Sequence, residues 1–293
     1  MNDYLLSVLL GIVEGLTEFL PVSSTAHLRI CEALLGIDFG NGFWKMYSIV
    51  IQLGAILCLP IYFRARIAKF LRTFPRGERG DRNVLTHPLT LVLIAFLFTA
   101  IPAFLLTKII GKHLESLSIM GSSLLIGGII MWIVDARYGN PNRGRGYKTE
   151  HMEEMTPGQA IWIGICQIAS AVFPGTSRSM ATIAAGQLAG MSRPSALEFS
   201  FFLSIPTMVA ATGYDLLKTL RPKHGETALG VMPTSPHEWT VLIIGFLVSF
   251  IVALGVVAWF MNWVRGRGFA PFAIYRILLG IIVLGWVLTR HGT

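Results

Sequence analysis

Charge is scarce in this sequence. Only 14% of the 293 residues are Asp, Glu, Lys or Arg, 53% are hydrophobic, and mean hydropathy is +0.62. A soluble domain is about a quarter charged, so that class is excluded. Cysteine is scarcer still. Cys31, Cys58 and Cys166 sit in apolar surroundings without CxxC spacing, which removes a disulfide framework or a zinc set and leaves small packing residues. A basic n-region is also missing, because the first residues are Met1-Asn2-Asp3. The first apolar segment is therefore expected to be retained rather than cleaved.

What fills the space is long apolar sequence. Leu91 to Thr107, Leu117 to Val134 and Trp239 to Val264 contain no charged residue, and each approaches or exceeds the roughly 20 residues needed to cross a bilayer core. Short alternating segments, the mark of a membrane β-barrel, do not occur. The sequence predicts an all-α integral membrane protein. The net charge of +8 falls mostly in loops between apolar runs, so topology accounts for it and no nucleic-acid partner is expected.

Within this apolar background one motif occurs twice. The first copy runs from Gly11 through Glu14 and Glu18 to Pro21-Val22-Ser23-Ser24-Thr25-Ala26-His27. The second runs from Gly164 through Gln167 to Pro174-Gly175-Thr176-Ser177-Arg178-Ser179. Adding 153 to a first-copy position gives its mate in the second. In each copy two short apolar segments flank a proline, and neither is long enough to span comfortably. They read as two re-entrant helical hairpins, which a membrane tolerates where the open backbone is buried or lines a cavity.

Three spans are predicted after each hairpin: about 46–63, 91–107 and 117–134, then about 194–214, 239–264 and 270–289. Weaker matches continue through the halves, Ala95-Phe96-Leu97 with Gly245-Phe246-Leu247 and Gly128-Ile129-Ile130 with Gly280-Ile281-Ile282. The chain reads as a single membrane domain, 1–293, built from internal repeats of about 1–140 and 155–293, with about six full transmembrane helices. An odd number of crossings per half makes it an inverted-topology repeat. Loop 64–88 carries Arg64, Arg66, Lys69, Arg72, Arg76, Arg79 and Arg82. Loop 135–157 carries Arg137, Arg143, Arg145 and Lys148, and the turn after the fifth span carries Arg265 and Arg267. These loops share one side, which is expected to be cytoplasmic. Loop 215–238, on the other side, also carries Lys218, Arg221 and Lys223.

Charge inside apolar sequence marks a functional site. Glu14 and Glu18 are one helical turn apart and share a face; the pair suits a general base, a divalent-cation ligand or both, and solvated surface acids are the alternative. Ser23, Ser24 and Thr25 stand where a helix would begin after Pro21. They suit N-capping, anion binding at a helix N-terminus and, at Ser24, an activated nucleophile. His27, one turn after Ser24, suits proton transfer near neutral pH. Arg178, with Ser177 and Ser179 beside it and Gly175 and Thr176 before it, suits bidentate phosphate binding; an ion pair with Glu14 or Glu18 is the structural alternative. Glu198 and Arg276 are expected to snorkel or to pair with each other, and Gln52 and Asp135 read as similar minor cases.

At these residues the sequence resembles the undecaprenyl-diphosphate phosphatase family, also called the bacitracin-resistance protein family. Glu14-Gly15-Leu16-Thr17-Glu18-Phe19-Leu20-Pro21-Val22-Ser23-Ser24-Thr25-Ala26-His27 is similar to its first signature, and Pro174-Gly175-Thr176-Ser177-Arg178-Ser179 to its second. Glu198-Phe199-Ser200-Phe201 and Pro271-Phe272-Ala273-Ile274-Tyr275-Arg276 match further family patterns. Ala26 stands where many members have glycine. The resemblance implies a multi-pass enzyme of the bacterial inner (plasma) membrane with an outward-facing active site. It implies hydrolysis of the C55 isoprenyl diphosphate to the monophosphate and phosphate, recycling the carrier for cell-wall polymers and conferring bacitracin resistance.

On that reading Glu18, Ser24, His27 and Arg178 are catalytic, and Ser23, Thr25, Gly175, Thr176, Ser177 and Ser179 bind phosphate. Glu14 and Glu18 hold a divalent cation, Mg2+ or Ca2+. The partners are the polyprenyl diphosphate and membrane lipids, and a homodimer is compatible with all of this. The competing class is an ion-coupled transporter or flippase for a phosphorylated lipid, because inverted repeats with broken helices serve transport as well.

Overall fold

A computed structural model of the chain describes residues 2–37, 42–106, 116–139, 147–220 and 230–291. Among them lie eleven α-helices: α1 Asp3–Thr17, α2 Ser24–Leu35, α3 Gly42–Tyr62, α4 Arg64–Thr73, α5 Pro88–Leu105, α6 Leu117–Tyr138, α7 Pro157–Val172, α8 Arg178–Leu188, α9 Arg193–Leu220, α10 Pro236–Gly266 and α11 Ala270–His291. No strand occurs among the described residues. Six helices, α3, α5, α6, α9, α10 and α11, are long and apolar enough to cross a membrane, and they coincide with the six predicted spans. The helix starts follow capping chemistry. Asn2 accepts from the Tyr4 N–H, His87 caps α5 ahead of Pro88, and Thr156 with Gln159 forms a capping box around Pro157, which satisfies backbone N–H groups that have no intrahelical partner.

The chain divides into two compact units. The first comprises Met1–Phe19, Ser24–Phe63 and Ser204–Trp259; the second comprises Leu20–Ser23, Arg64–Leu203 and Phe260–Thr293. In the first unit α1 lies parallel to α10 along a stripe of small residues. Ser7 Oγ donates to the Val241 carbonyl at 2.7 Å. A Cβ on Gly11 would stand 2.9 Å from the Gly245 carbonyl oxygen, and one on Gly15 would stand 2.7 Å from that of Ser249. Such close backbone approach is how helices associate where no hydrophobic force drives them together. Tyr47 of α3 closes this contact by donating to the Ser7 carbonyl at 2.7 Å.

In the second unit the same device pairs other helices. α6 and α11 run antiparallel, with Gly121 against Leu284 and Gly280 against the Leu125 N–H. Thr99 of α5 donates to the Gly164 carbonyl of α7 at 2.7 Å, and Gly164 itself is pressed on the Ala95 backbone. Gly11 and Gly164 are repeat mates, as are Ala95 and Gly245. Each hairpin's first helix thus packs on a span from the other sequence half.

Polar residues inside the second unit are tied rather than snorkelling. Asp135 accepts from Arg193 at 2.7 Å, from Gln187 at 3.0 Å and from the Phe269 N–H at 2.9 Å. Glu198 pairs with Arg66 at 2.8 Å, not with Arg276, and Arg66 also grips Glu153.

Candidate active site at the hairpin tips

The first hairpin folds because α1 stops before Pro21, whose ring cannot continue a helix. Glu18 ends α1, with its N–H on the Glu14 carbonyl at 2.9 Å. The chain then turns through a tight Val22 N–H to Leu20 carbonyl bond of 2.7 Å. Ser23 takes φ 75°, a left-handed conformation uncommon outside glycine, and α2 starts at Ser24. That turn folds Ser24 back onto α1, and its Oγ donates to Glu18 Oε2 at 2.6 Å. The length is at the short end for a hydroxyl-to-oxygen hydrogen bond. Both residues are buried, each 8% exposed.

Glu14 lies one turn below Glu18 and is fully buried. Neither of its carboxylate oxygens has a hydrogen bond of normal geometry among the described residues. An ionised carboxylate in that state is costly to keep. Two carboxylates on one face, one of them without donors, form an oxygen set that fits a hard divalent cation completed by phosphate oxygens and water. Among the described residues no cluster of three or more His, Cys, Asp or Glu stands ready to hold a metal, so the protein alone offers an incomplete shell. His27 lies half-buried on α2, one turn beyond Ser24, and Thr25 is exposed.

The second hairpin solves the same problem with one more residue between its proline and the serine of positive φ. α7 ends at Val172, Thr176 N–H closes a turn on the Phe173 carbonyl at 3.1 Å, and Ser177 takes φ 69° immediately before α8 begins at Arg178. Gly175 has φ 92°, and a Cβ there would stand 2.6 Å from the Met120 carbonyl oxygen, so only glycine fits. Ser177 Oγ and Ser179 Oγ are 3.0 Å apart, and the Met180 N–H donates to Ser177 Oγ at 3.4 Å. Arg178 is half-buried at the helix start, where the free N–H groups of the first turn add to its positive field.

The structure places Ser23, Gly175, Thr176, Ser177, Arg178 and Ser179 in the second unit, and Glu14, Glu18, Ser24, Thr25 and His27 in the first. Segment Leu20–Ser23 is fastened to the second hairpin: Ser179 Oγ donates to the Leu20 carbonyl at 3.0 Å. The residue that sequence reasoning missed is Arg276. Its side chain is fully buried, and its guanidinium donates to the carbonyls of Pro21, Gly175 and Ser123, each at 3.1 Å. One group on α11 therefore holds the backbone of both tips and of α6. The available signal was a guanidinium at the seventh residue of α11, inside an apolar run, which is costly unless it has a task.

Comparison with known proteins places this geometry in a lineage. Residues 7–282 match the family model described as bacitracin resistance protein BacA. The chain is 71% identical over 291 residues to a protein named undecaprenyl-diphosphatase from Koribacter versatilis (strain Ellin345), covering 99% of this chain and 100% of that one. It is 41% identical over 276 residues to the undecaprenyl-diphosphatase of Caldanaerobacter subterraneus subsp. tengcongensis, covering 94% and 93% of the two chains. It is also 41% identical over 284 residues to that of Rhizobium etli (strain CIAT 652), covering 97% of each.

Proposed function

Because the chain belongs to the bacitracin resistance protein BacA family, we propose that it is an undecaprenyl-diphosphate phosphatase. It removes the terminal phosphate of the C55 isoprenyl diphosphate in the bacterial inner membrane, recycling the carrier for wall synthesis. The observation that carries the mechanism is the 2.6 Å bond from Ser24 Oγ to Glu18. A hydroxyl already hydrogen-bonded to a carboxylate has its general base in place.

In the proposed reaction Ser24 Oγ attacks the terminal phosphorus in line and its proton passes to Glu18. The bond from that phosphorus to the bridging oxygen breaks, releasing the lipid monophosphate. Water then cleaves the phosphoserine to inorganic phosphate, with His27 serving as proton carrier. Arg178 and the hydroxyls of Ser177 and Ser179 stabilise charge on the transferring phosphoryl oxygens. Ser23, Thr25, Gly175 and Thr176 complete the phosphate-binding tips. Glu14 and Glu18 would hold Mg2+ or Ca2+, which when bound neutralises charge on the diphosphate.

The two hairpins are read as re-entrant, and the two halves as inverted repeats. The antiparallel pairing of α6 with α11 and the crosswise packing of Gly11 and Gly164 support that reading. The 16 residues of α7 extend about 24 Å, most of a hydrocarbon core of about 30 Å. The Lys and Arg residues concentrated in loops 64–88 and 135–157 and in the turn at 265–267 support an outward-facing site through the positive-inside bias.

The test is phosphate release by detergent-purified protein from the C55 diphosphate, with Ser24→Ala, His27→Ala and Arg178→Ala beside the wild type. Trapped phosphate should be found on Ser24. Label on His27 would overturn the nucleophile, and no release by the wild type would overturn the activity.

A further inference from the structure

A cavity of about 260 Å3 lies within the second unit, between α4, the connection from α4 to α5, and the turn Met152–Glu154 ahead of α7. It stands at the opposite end of α7 from the second tip, and the 16 residues of that helix extend about 24 Å. Four carboxylates line it, and three are already engaged. Glu78 pairs with Lys69 at 2.6 Å, Glu153 accepts from Arg66 at 3.0 Å, and Glu154 accepts from the Glu150 and His151 N–H groups at 2.9 and 3.2 Å. The donors are not so well served. His87 is fully buried, with its ring against those of Phe70 and Phe74. Its Nδ1 accepts from the Leu89 N–H at 3.3 Å, which puts the proton of a neutral ring on Nε2. Burial lowers its pKa and so favours that neutral form. Nε2 has no hydrogen-bond partner among the described residues. Arg82 has a side chain only 19% exposed, yet its guanidinium reaches the Met155 carbonyl at 3.5 Å and Asp81 at 3.9 Å, both long for hydrogen bonds. Its stem lies across Gly77, where φ is 70° and a Cβ would stand 2.7 Å from Arg82 Cγ. Arg79 lines the same cavity, is exposed, and makes no hydrogen bond or ion pair among the described residues.

Engaged acceptors beside underused donors favour a ligand rich in acceptors. A metal cation would need free carboxylates, and only Asp81 is left, its side chain 55% exposed. A phosphate group presents oxygens in several directions and meets guanidinium groups through charge-assisted bonds. We propose that this cavity is an anion site for a phosphate group, held by Arg79, Arg82 and His87 and separate from the hairpin tips. The volume is small for a whole organic ligand and suits a phosphate group with the remainder of any larger molecule outside. Two sources supply such a group: inorganic phosphate in solution, and the headgroup of an anionic phospholipid. The second would run its chains past Phe74, which touches His87 and is 48% exposed. In either case occupancy joins the segment after α4 to the turn that opens α7.

The experiment is amide hydrogen exchange of the purified full chain, read peptide by peptide. One probe is inorganic phosphate added to protein in detergent. The other is anionic phosphatidylglycerol in nanodiscs, set against zwitterionic phosphatidylcholine. Sodium chloride at matched ionic strength is the control. One or both probes should slow exchange in segment 76–88 by about two-fold or more, and sodium chloride should not. Protection by inorganic phosphate identifies the free ion as a ligand; protection by phosphatidylglycerol and not phosphatidylcholine identifies the headgroup. Arg79→Gln removes an exposed side chain that holds no other part of the fold, and should raise the half-saturating phosphate concentration or lipid fraction about ten-fold. Arg82→Gln should abolish the protection. The response of segment 174–180 to inorganic phosphate should be the same in both variants as in the wild type. If segment 76–88 responds to neither probe, if sodium chloride protects it equally, or if both variants keep wild-type protection, the inference fails. Because the readout is binding at a segment remote from the second tip, that failure leaves the phosphatase reading intact.

Discussion

The two hairpin tips use one backbone device to present two different sets of side chains. Each breaks its first helix near a proline, turns through a serine at positive φ and starts a second helix on the next residue. Sequence alignment at an offset of 153 pairs Ser24 with Ser177 and Thr25 with Arg178. The backbone pairs them differently, with Ser23 matching Ser177 and Ser24 matching Arg178, because two residues, Gly175 at φ 92° and Thr176, separate proline from serine in the second tip where Val22 alone does so in the first. The first position of the second helix, where anions meet free N–H groups, is therefore a serine on a carboxylate in one tip and an arginine in the other. The difference between the tips comes down to what occupies one backbone position.

The most severe way to break this comparison is to remove the two occupants. Ser24→Ala should reduce phosphate release by about 10^3-fold or more if it is the nucleophile, and Arg178→Ala by about 10^2- to 10^3-fold through lost charge stabilisation. On the proposed mechanism, in which both residues serve one phosphoryl transfer, the double variant should fall little below the worse single one. Additive losses would mean that the two tips serve separate steps.

Next in size is the tie between the tips. Arg276→Lys keeps the charge but cannot span three carbonyls with one planar fork. It should cut kcat by about 10^2-fold with a small change in KM, as expected when reacting groups lose register. Thermal unfolding in detergent should also begin earlier, because buried carbonyls lose their donors. A kcat within two-fold of wild type would show that the tips hold themselves.

Gly175→Ala against Val22→Ala separates the tips directly, since these positions align in sequence but not in backbone. Alanine at 175 must adopt a positive φ and meet the Met120 carbonyl oxygen, at a cost of about 1–3 kcal/mol. Activity should drop about ten-fold or more. Val22→Ala, with no such constraint, should cost much less. Equal losses would return the two tips to the sequence-derived pairing.

The six spans and the helix breaks near Pro21 and Pro174 were legible in the sequence, as was the polar character of the residues that follow those breaks. Hydropathy sets spans, proline sets breaks, and polar residues in apolar runs announce themselves. The rest depended on tertiary partners. Arg276 reads as a snorkelling or pairing residue until three carbonyls from distant segments are seen around it. Glu198 reads as its partner until Arg66, 132 residues away, is seen to hold it. The longer spacing from proline to the positive-φ serine in the second tip is invisible to alignment because Pro174 and Ser177 line up with Pro21 and Ser24 without a gap.

The smallest expected effect tests whether charge clusters outside the tips carry chemistry. Glu153 lies in the turn Met152–Glu154 before α7 and is gripped by Arg66. Burial alone would raise its carboxyl, but the hydrogen bonds and charge of Arg66 outweigh that and hold it below the usual carboxylate range. A carboxyl whose folded pKa is depressed stabilises the fold above its unfolded value and loses that contribution as pH falls through the folded one. Thermal stability should therefore decline in acid below the ordinary carboxylate range. Glu153→Gln should flatten that decline while costing at most about 1 kcal/mol near neutral pH, because the pair is partly solvated. Phosphate release near pH 7 should be unchanged. If Glu153→Gln instead shifted the pH profile of kcat, the Arg66 cluster would be coupled to the reaction, and the proposal that assigns the chemistry to the two unequal tips alone would fail.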